Sequence, residues 1–251
     1  MDAAFIGALI INIESVLYVR EPTRAERTAA LAGMAALIGA EDKKALAARL
    51  SVNARHLMLW GDRAALRRCG PLELCRELLC REDVADFHLA SRARVREIYR
   101  EFMALYARYM GEARIPAGAL ATLRALKARG VRLFYVYGVS LWDWFTDGFM
   151  KSELEKAFEG GLLILGHSEG RHDWVGDCVD ICLEHGVAPE ECGYVSGQLW
   201  RDVRDVRESD LGRLILFRPE GLSARERKCA IPPEDILARF GDLPDFPGLP
   251  D

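Results

Sequence analysis

Residues 5–13, Phe-Ile-Gly-Ala-Leu-Ile-Ile-Asn-Ile, form a short, almost unbroken apolar run. A run of this length and isoleucine content reads as a strand buried on both faces. From Pro116 onward the pattern alternates. Pro116–Arg129 reads as a helix with Leu120, Leu123 and Leu126 on its apolar stripe and Gly130 as its stop. Val131–Tyr137 reads as a strand broken at Gly138, and Leu162–Leu165 as a strand after a Gly160-Gly161 turn. Asp173–Glu184 is a helix, Cys192–Val195 a strand, Trp200–Ser209 a helix and Arg213–Phe217 a strand. Buried strands that alternate with helices are joined by crossovers, so the expected fold is α/β with a Rossmann-like parallel sheet. The proline-rich end, with Pro232, Pro233, Pro244, Pro247 and Pro250, is expected to hold one short helix near 234–240 and then a tail.

Between the first strand and this alternation, residues 24–110 read as wholly helical. Arg24–Ile38 and Asp42–Leu50 are rich in Ala and Leu. Pro71–Leu79 opens on a proline, harmless at a helix start where its missing N–H has no partner anyway. In Ser91–Met110 the residues Val95, Ile98, Phe102, Leu105 and Tyr109 recur at helical spacing. The expected organisation is a core of residues 1–18 and 113–251, with an inserted all-helical subdomain over 19–112.

Half of the 251 residues are hydrophobic, enough for a sizeable core, and the net charge is −4. With no basic excess, nothing points to nucleic acid. The longest apolar run is too short to cross a bilayer, and it lacks the flanks of a signal peptide. The expected location is the cytoplasm, with no membrane contact. Seven cysteines, an odd number, then read as reduced thiols, and none forms a C-x-x-C pair, so they read as small buried hydrophobes rather than metal ligands.

Three stretches carry a resemblance to a known family. Ala8-Leu9-Ile10-Ile11-Asn12-Ile13-Glu14-Ser15-Val16-Leu17 resembles the first motif of the haloacid dehalogenase-like (HAD) phosphohydrolases, an apolar strand ending in Asp-x-Asp-Gly-Thr-Leu. Pro116 to Gly130 is similar to the helix before the second motif. Gly186-Val-Ala-Pro-Glu-Glu-Cys-Gly-Tyr-Val-Ser-Gly197 is similar to the approach to the fourth. The likeness spans nearly the whole chain and implies a HAD core with a helical cap.

In that family the first Asp attacks phosphorus, the second handles protons, a Ser or Thr holds a phosphate oxygen, a Lys offsets charge, and carboxylates of the fourth motif hold Mg²⁺. A carboxylate nucleophile needs a cation against phosphate repulsion, and Mg²⁺ takes hard oxygen ligands. This chain departs at each place. Asn12 is a neutral amide where the nucleophile stands, and Glu14 replaces the second Asp. Tyr137 stands where Ser or Thr ends the second motif, and is expected to fill the phosphate space. Arg171 or His172 falls near the Lys position, and Ser196-Gly197 replaces Gly-Asp. Asp202 alone remains in a metal-binding place, so Asn12 and Asp202 are at most a weak Mg²⁺ pair.

Together these departures point away from catalysis. The expectation is a degenerate HAD-like protein, a pseudoenzyme that works as a subunit, scaffold or regulator, with a protein partner or a second copy and no cofactor. Two other readings stay open: a divergent phosphatase-like hydrolase using Glu14 or Asp202 with weak Mg²⁺, and a binding module with an anion pocket around Arg171. Trp142, Trp144 and Phe145 suit either a partner surface or the core. Arg92, Arg96 and Arg100 share one helix face, with Glu97 and Glu101 interleaved as on an ordinary solvated face.

Overall fold

The computed structural model describes residues 5–20, 22–60, 92–139, 148–165, 174–198, 202, 205–229 and 231–250. The first strand is shorter than the apolar run. β1 spans Ala8–Asn12, and all five of its residues are buried. Ile13 leaves the strand for a single π-helical turn over Ile13–Leu17, closed by Tyr18 N–H donating to Ile13 O at 2.7 Å. A two-residue strand, β2 (Val19–Arg20), precedes the helices described here, α1 (Arg24–Ile38), α2 (Lys43–Trp60) and α3 (Arg92–Met110); the expected helix Pro71–Leu79 lies outside the described residues. α1 starts at a capping box in which Thr23 and Glu26 exchange hydrogen bonds, and it ends at Gly39 in the left-handed region, φ 72°.

After α3 the chain enters β3 (Ala113–Arg114), which pairs antiparallel with β2. Arg20 Nη1 donates to Gly111 O at 2.8 Å beside the ribbon. The residues that flank α1 and α3 are therefore tied together. α1 packs on α3 closely enough that a Cβ at Gly33 would stand 2.9 Å from Leu105 Cδ2.

Further along come α4 (Ala119–Ala128), β4 (Arg132–Val139), β5 (Gly160–Leu165), α5 (Trp174–Glu184), β6 (Cys192–Ser196), β7 (Arg213–Phe217) and β8 (Ile236–Leu237), with short 3₁₀ turns between them; the expected helix Trp200–Ser209 lies partly outside the described residues. Six strands form one sheet in the order β5-β4-β1-β6-β7-β8, and every pairing is parallel. β1 lies inside the sheet, with the later strands added first on one side of it and then on the other. That places the carboxyl ends of β1, β4 and β6 at a topological switch point, where open α/β sheets build their sites.

Alternate residues face opposite ways. Leu9, Ile11, Leu133, Tyr135, Tyr137, Val195 and Ile215 pack under α4, the inserted helices and the segment 240–249. Ala8, Ile10, Phe134, Val136 and Tyr194 pack against α5 and Val206. Cys178, Cys182 and Cys192 are buried on this second face. The Cys192 thiol is pushed far up by its hydrogen bond with Cys182 and by burial, so it stays protonated. Among the described residues no group of three or more His, Cys, Asp or Glu side chains is placed to hold a metal.

Four sequence expectations need correction. Gly138 does not break β4, because it pairs with Ile164 inside the sheet. Gly160-Gly161 is no turn: both residues lie in β5, and a Cβ at Gly161 would stand 2.4 Å from Tyr135 O. The expected tail is a packed 3₁₀ segment, Phe240–Asp245, that buries Phe240 and Leu243 in the core. The short helix near 234–240 is instead a 3₁₀ turn, Pro233–Asp235, followed by β8. Two prolines remove backbone donors there, and Ile236 and Leu237 extend the sheet beside β7.

Candidate functional site

The end of β1 places Asn12 at the switch point, fully buried. Its amide is fixed at both ends. Oδ1 accepts from Ser15 N at 3.3 Å, and Nδ2 donates to the Tyr194 hydroxyl at 3.3 Å. The first bond closes the N-terminus of the π-helical turn, as a short polar side chain at a cap does. Asn12 therefore serves the backbone and β6 at the place expected of a nucleophile.

Glu14 projects toward β4. Its carboxylate lies over Gly138: a Cβ there would meet Oε2 at 2.6 Å and Oε1 at 2.7 Å. The side chain keeps this place only because residue 138 has none. Tyr137, next to it, is 1% exposed, and its ring meets Phe149 edge-on at 5.2 Å. Alternation puts this ring on the face opposite the Asn12–Tyr194 contact. Tyr137 thus belongs to an aromatic group with Tyr135, Phe149 and Phe158.

At the end of β6 the polar chain continues. Ser196 and Asp202 are both buried, and the Ser196 hydroxyl donates to Asp202 Oδ2. Gln198 N donates to Ser196 Oγ at 2.9 Å, Gly197 N donates to Ser15 Oγ at 2.9 Å, and the two serine hydroxyls lie 3.4 Å apart. Arg218, just after β7, donates to Gly197 O and pairs with Glu226 at 2.9 Å. Sequence reasoning placed Asn12, Glu14, Ser196 and Asp202 near one another in the fold. Ser15 and Tyr194 fall inside the two motif stretches but have no assigned role there, Arg218 lies outside them, and the sheet order brings all three to the site. Arg171 and His172 lie outside the described residues, as do Trp142, Trp144 and Phe145. Arg96 and Arg100 are exposed on α3; the Arg92 side chain lies outside the described set.

Among the described residues the donor set does not suit Mg²⁺. That ion wants near-octahedral oxygen ligands, mostly anionic or water. Here the Asn12 amide is engaged at both ends, the Asp202 carboxylate accepts from Ser196, and Gly197 offers no side chain. Nor would a side chain fit at 197, since a Cβ would stand 2.3 Å from Ser15 O.

No protein-family model matches the sequence, and no curated protein matches it. Solved structures do match. A 2-haloacid dehalogenase from Pseudomonas syringae pv. tomato DC3000 is 16% identical, with 96% of this chain and 98% of that chain covered and a TM-score of 0.58. A HAD phosphatase from Thermococcus onnurineus is 12% identical over 98% of this chain and 99% of that one, with a TM-score of 0.56. A haloacid dehalogenase-like family hydrolase from Xanthomonas campestris is 12% identical over 97% and 95%, with a TM-score of 0.51. The chain has the haloacid dehalogenase-like fold, a Rossmann-like parallel sheet with helices on both faces.

Proposed function

We infer that this chain is a catalytically silent HAD-like protein, acting as a subunit, scaffold or regulator through protein contacts. The observation that carries this reading is the Asn12 amide, buried at the end of β1 and held between Ser15 N and the Tyr194 hydroxyl. An amide is no nucleophile toward phosphorus or an alkyl halide, and this one is committed to its neighbours. The hydrolases that share the fold are similar in architecture alone, and architecture does not transfer chemistry.

The reading divides the chain into a core, 1–18 and 113–251, and a helical cap, 19–112. It assigns no cofactor, and it takes the partner to be a protein or a second copy rather than nucleic acid or a membrane. Among the described residues no helix is long and apolar enough to cross a membrane; the cytoplasm is the location that fits this reading. The test is a panel of phosphate esters and 2-haloacids with Mg²⁺, run beside light scattering of the pure protein. The expected outcome is no turnover above background and a mass above that of one chain, or a defined protein complex. Turnover lost on Asn12→Ala would make the chain a divergent hydrolase. A strict monomer that binds phosphate would favour an anion-binding module.

A further inference from the structure

The Mg²⁺ implied by the sequence resemblance would lie between the loops after β1 and β6. The residues there do not suit the ion, yet the two loops are in direct contact. Gly197 approaches so closely that its missing side chain leaves room for Ser15 O, and its N–H donates to Ser15 Oγ at 2.9 Å. Ser15 Oγ lies 3.4 Å from Ser196 Oγ, and Ser196 donates to Asp202 while accepting from Gln198 N at 2.9 Å. Arg218 brings a guanidinium to the carbonyl of the same glycine.

We propose that this hydroxyl chain, Ser15–Ser196–Asp202 with Gly197 and Arg218, is a metal-independent clamp that joins the β1 and β6 loops in place of a divalent cation. Each part is chemically suited to that task. A cation holds two loops by drawing oxygens from both onto itself. Here the Ser15 hydroxyl, which both donates and accepts, links the loops by accepting from Gly197 N–H and facing Ser196 Oγ, while Ser196 and Asp202 brace the β6 side. The buried Asp202 carboxylate is met by a hydroxyl donor, as a buried acid must be met by some donor. The glycine at 197 follows from the clamp: only a residue without a side chain lets the loops touch. A carboxylate ligand at 197 and this clamp exclude each other on steric grounds.

The inference rests on the non-catalytic reading, and its test is separable from it. Melt the wild-type protein in EDTA and in millimolar Mg²⁺, and titrate Mg²⁺ by calorimetry. The expected result is superimposable melts and no saturable heat. Ser15→Ala and Ser196→Ala should each lower Tm by roughly 2–4 °C, the shift expected from losing about one hydrogen bond in a chain of this size. The double variant should lose less than the sum. Asp202→Asn, which keeps an acceptor oxygen, should hold more of the Tm than Asp202→Ala. A saturable Mg²⁺-dependent rise in Tm that disappears in Asp202→Asn overturns the clamp, and so does a Ser196→Ala variant that melts with the wild type. Mg²⁺ binding without turnover would sink the clamp alone; turnover would sink the non-catalytic reading.

Discussion

Restoring a carboxylate at position 197 should damage this protein rather than revive it. Gly197→Ala is the minimal test. Its Cβ would stand 2.3 Å from Ser15 O and 3.1 Å from both Ser15 C and Cβ, whereas ordinary contact begins near 3.4 Å. The obstacle is backbone, so no rotamer change relieves it. The two loops must separate by about 1 Å, which strains the Gly197 N–H to Ser15 Oγ bond. Overpacking costs about 1–3 kcal/mol, and a lost hydrogen bond about 1 more. At roughly 2–4 °C per kcal/mol for a chain of this length, Tm should fall by roughly 4–16 °C. Gly197→Asp should fall at least as far, and Asn12→Asp/Gly197→Asp should be less stable than Asn12→Asp alone. Thermal unfolding followed by circular dichroism reads all of these. A Gly197→Ala variant that melts with the wild type would refute the close approach of the two loops.

Gly138→Ala should cost less, about 1 kcal/mol, because its Cβ meets the far end of the Glu14 side chain, which can swing aside. Glu14→Ala in that background should recover the loss, and a double-mutant cycle measured by urea unfolding should show coupling of about 0.5 kcal/mol or more. Tyr137→Ala should cost about 3–5 kcal/mol by chemical denaturation, since it empties a fully packed aromatic site against Phe149. The Glu226 carboxyl is held below its ordinary value of 4.5 by the Ser223 backbone N–H and hydroxyl and by Arg218. A carboxyl depressed on folding contributes stability that is full above its unfolded value and is lost as pH falls through the folded one. Glu226→Gln should therefore flatten the loss of stability below about pH 4.5, measured as Tm against pH.

The sheet was legible in the sequence because its strands are continuous apolar runs and its helices carry clear stripes. Arg213–Phe217 and Arg24–Ile38 fall where pattern reading puts them. The misreadings were local. Gly138, Gly160 and Gly161 look like breakers, but each is in a strand, and at Gly138 and Gly161 a neighbouring group fills the space that a side chain would take. β8 was hidden behind two prolines because two residues give no periodicity to read. In the site, the substitutions at 12, 14 and 197 were visible as departures from a motif. Their consequences were not. That Asn12 bonds Tyr194, 182 residues away, or that Ser15 meets Gly197, follows from β6 lying beside β1, and only the fold supplies that.

On the non-catalytic reading, the turn at the end of β1 bears no working nucleophile. Incubating the pure protein with a small acyl phosphate and Mg²⁺, and separately with a 2-haloacid, then measuring intact mass and mapping peptides, tests it directly. The mass should be unchanged in both reactions. A phosphoryl or ester adduct on the peptide that contains Asn12 and Glu14, absent in the Asn12→Ala or Glu14→Ala variant, would contradict it.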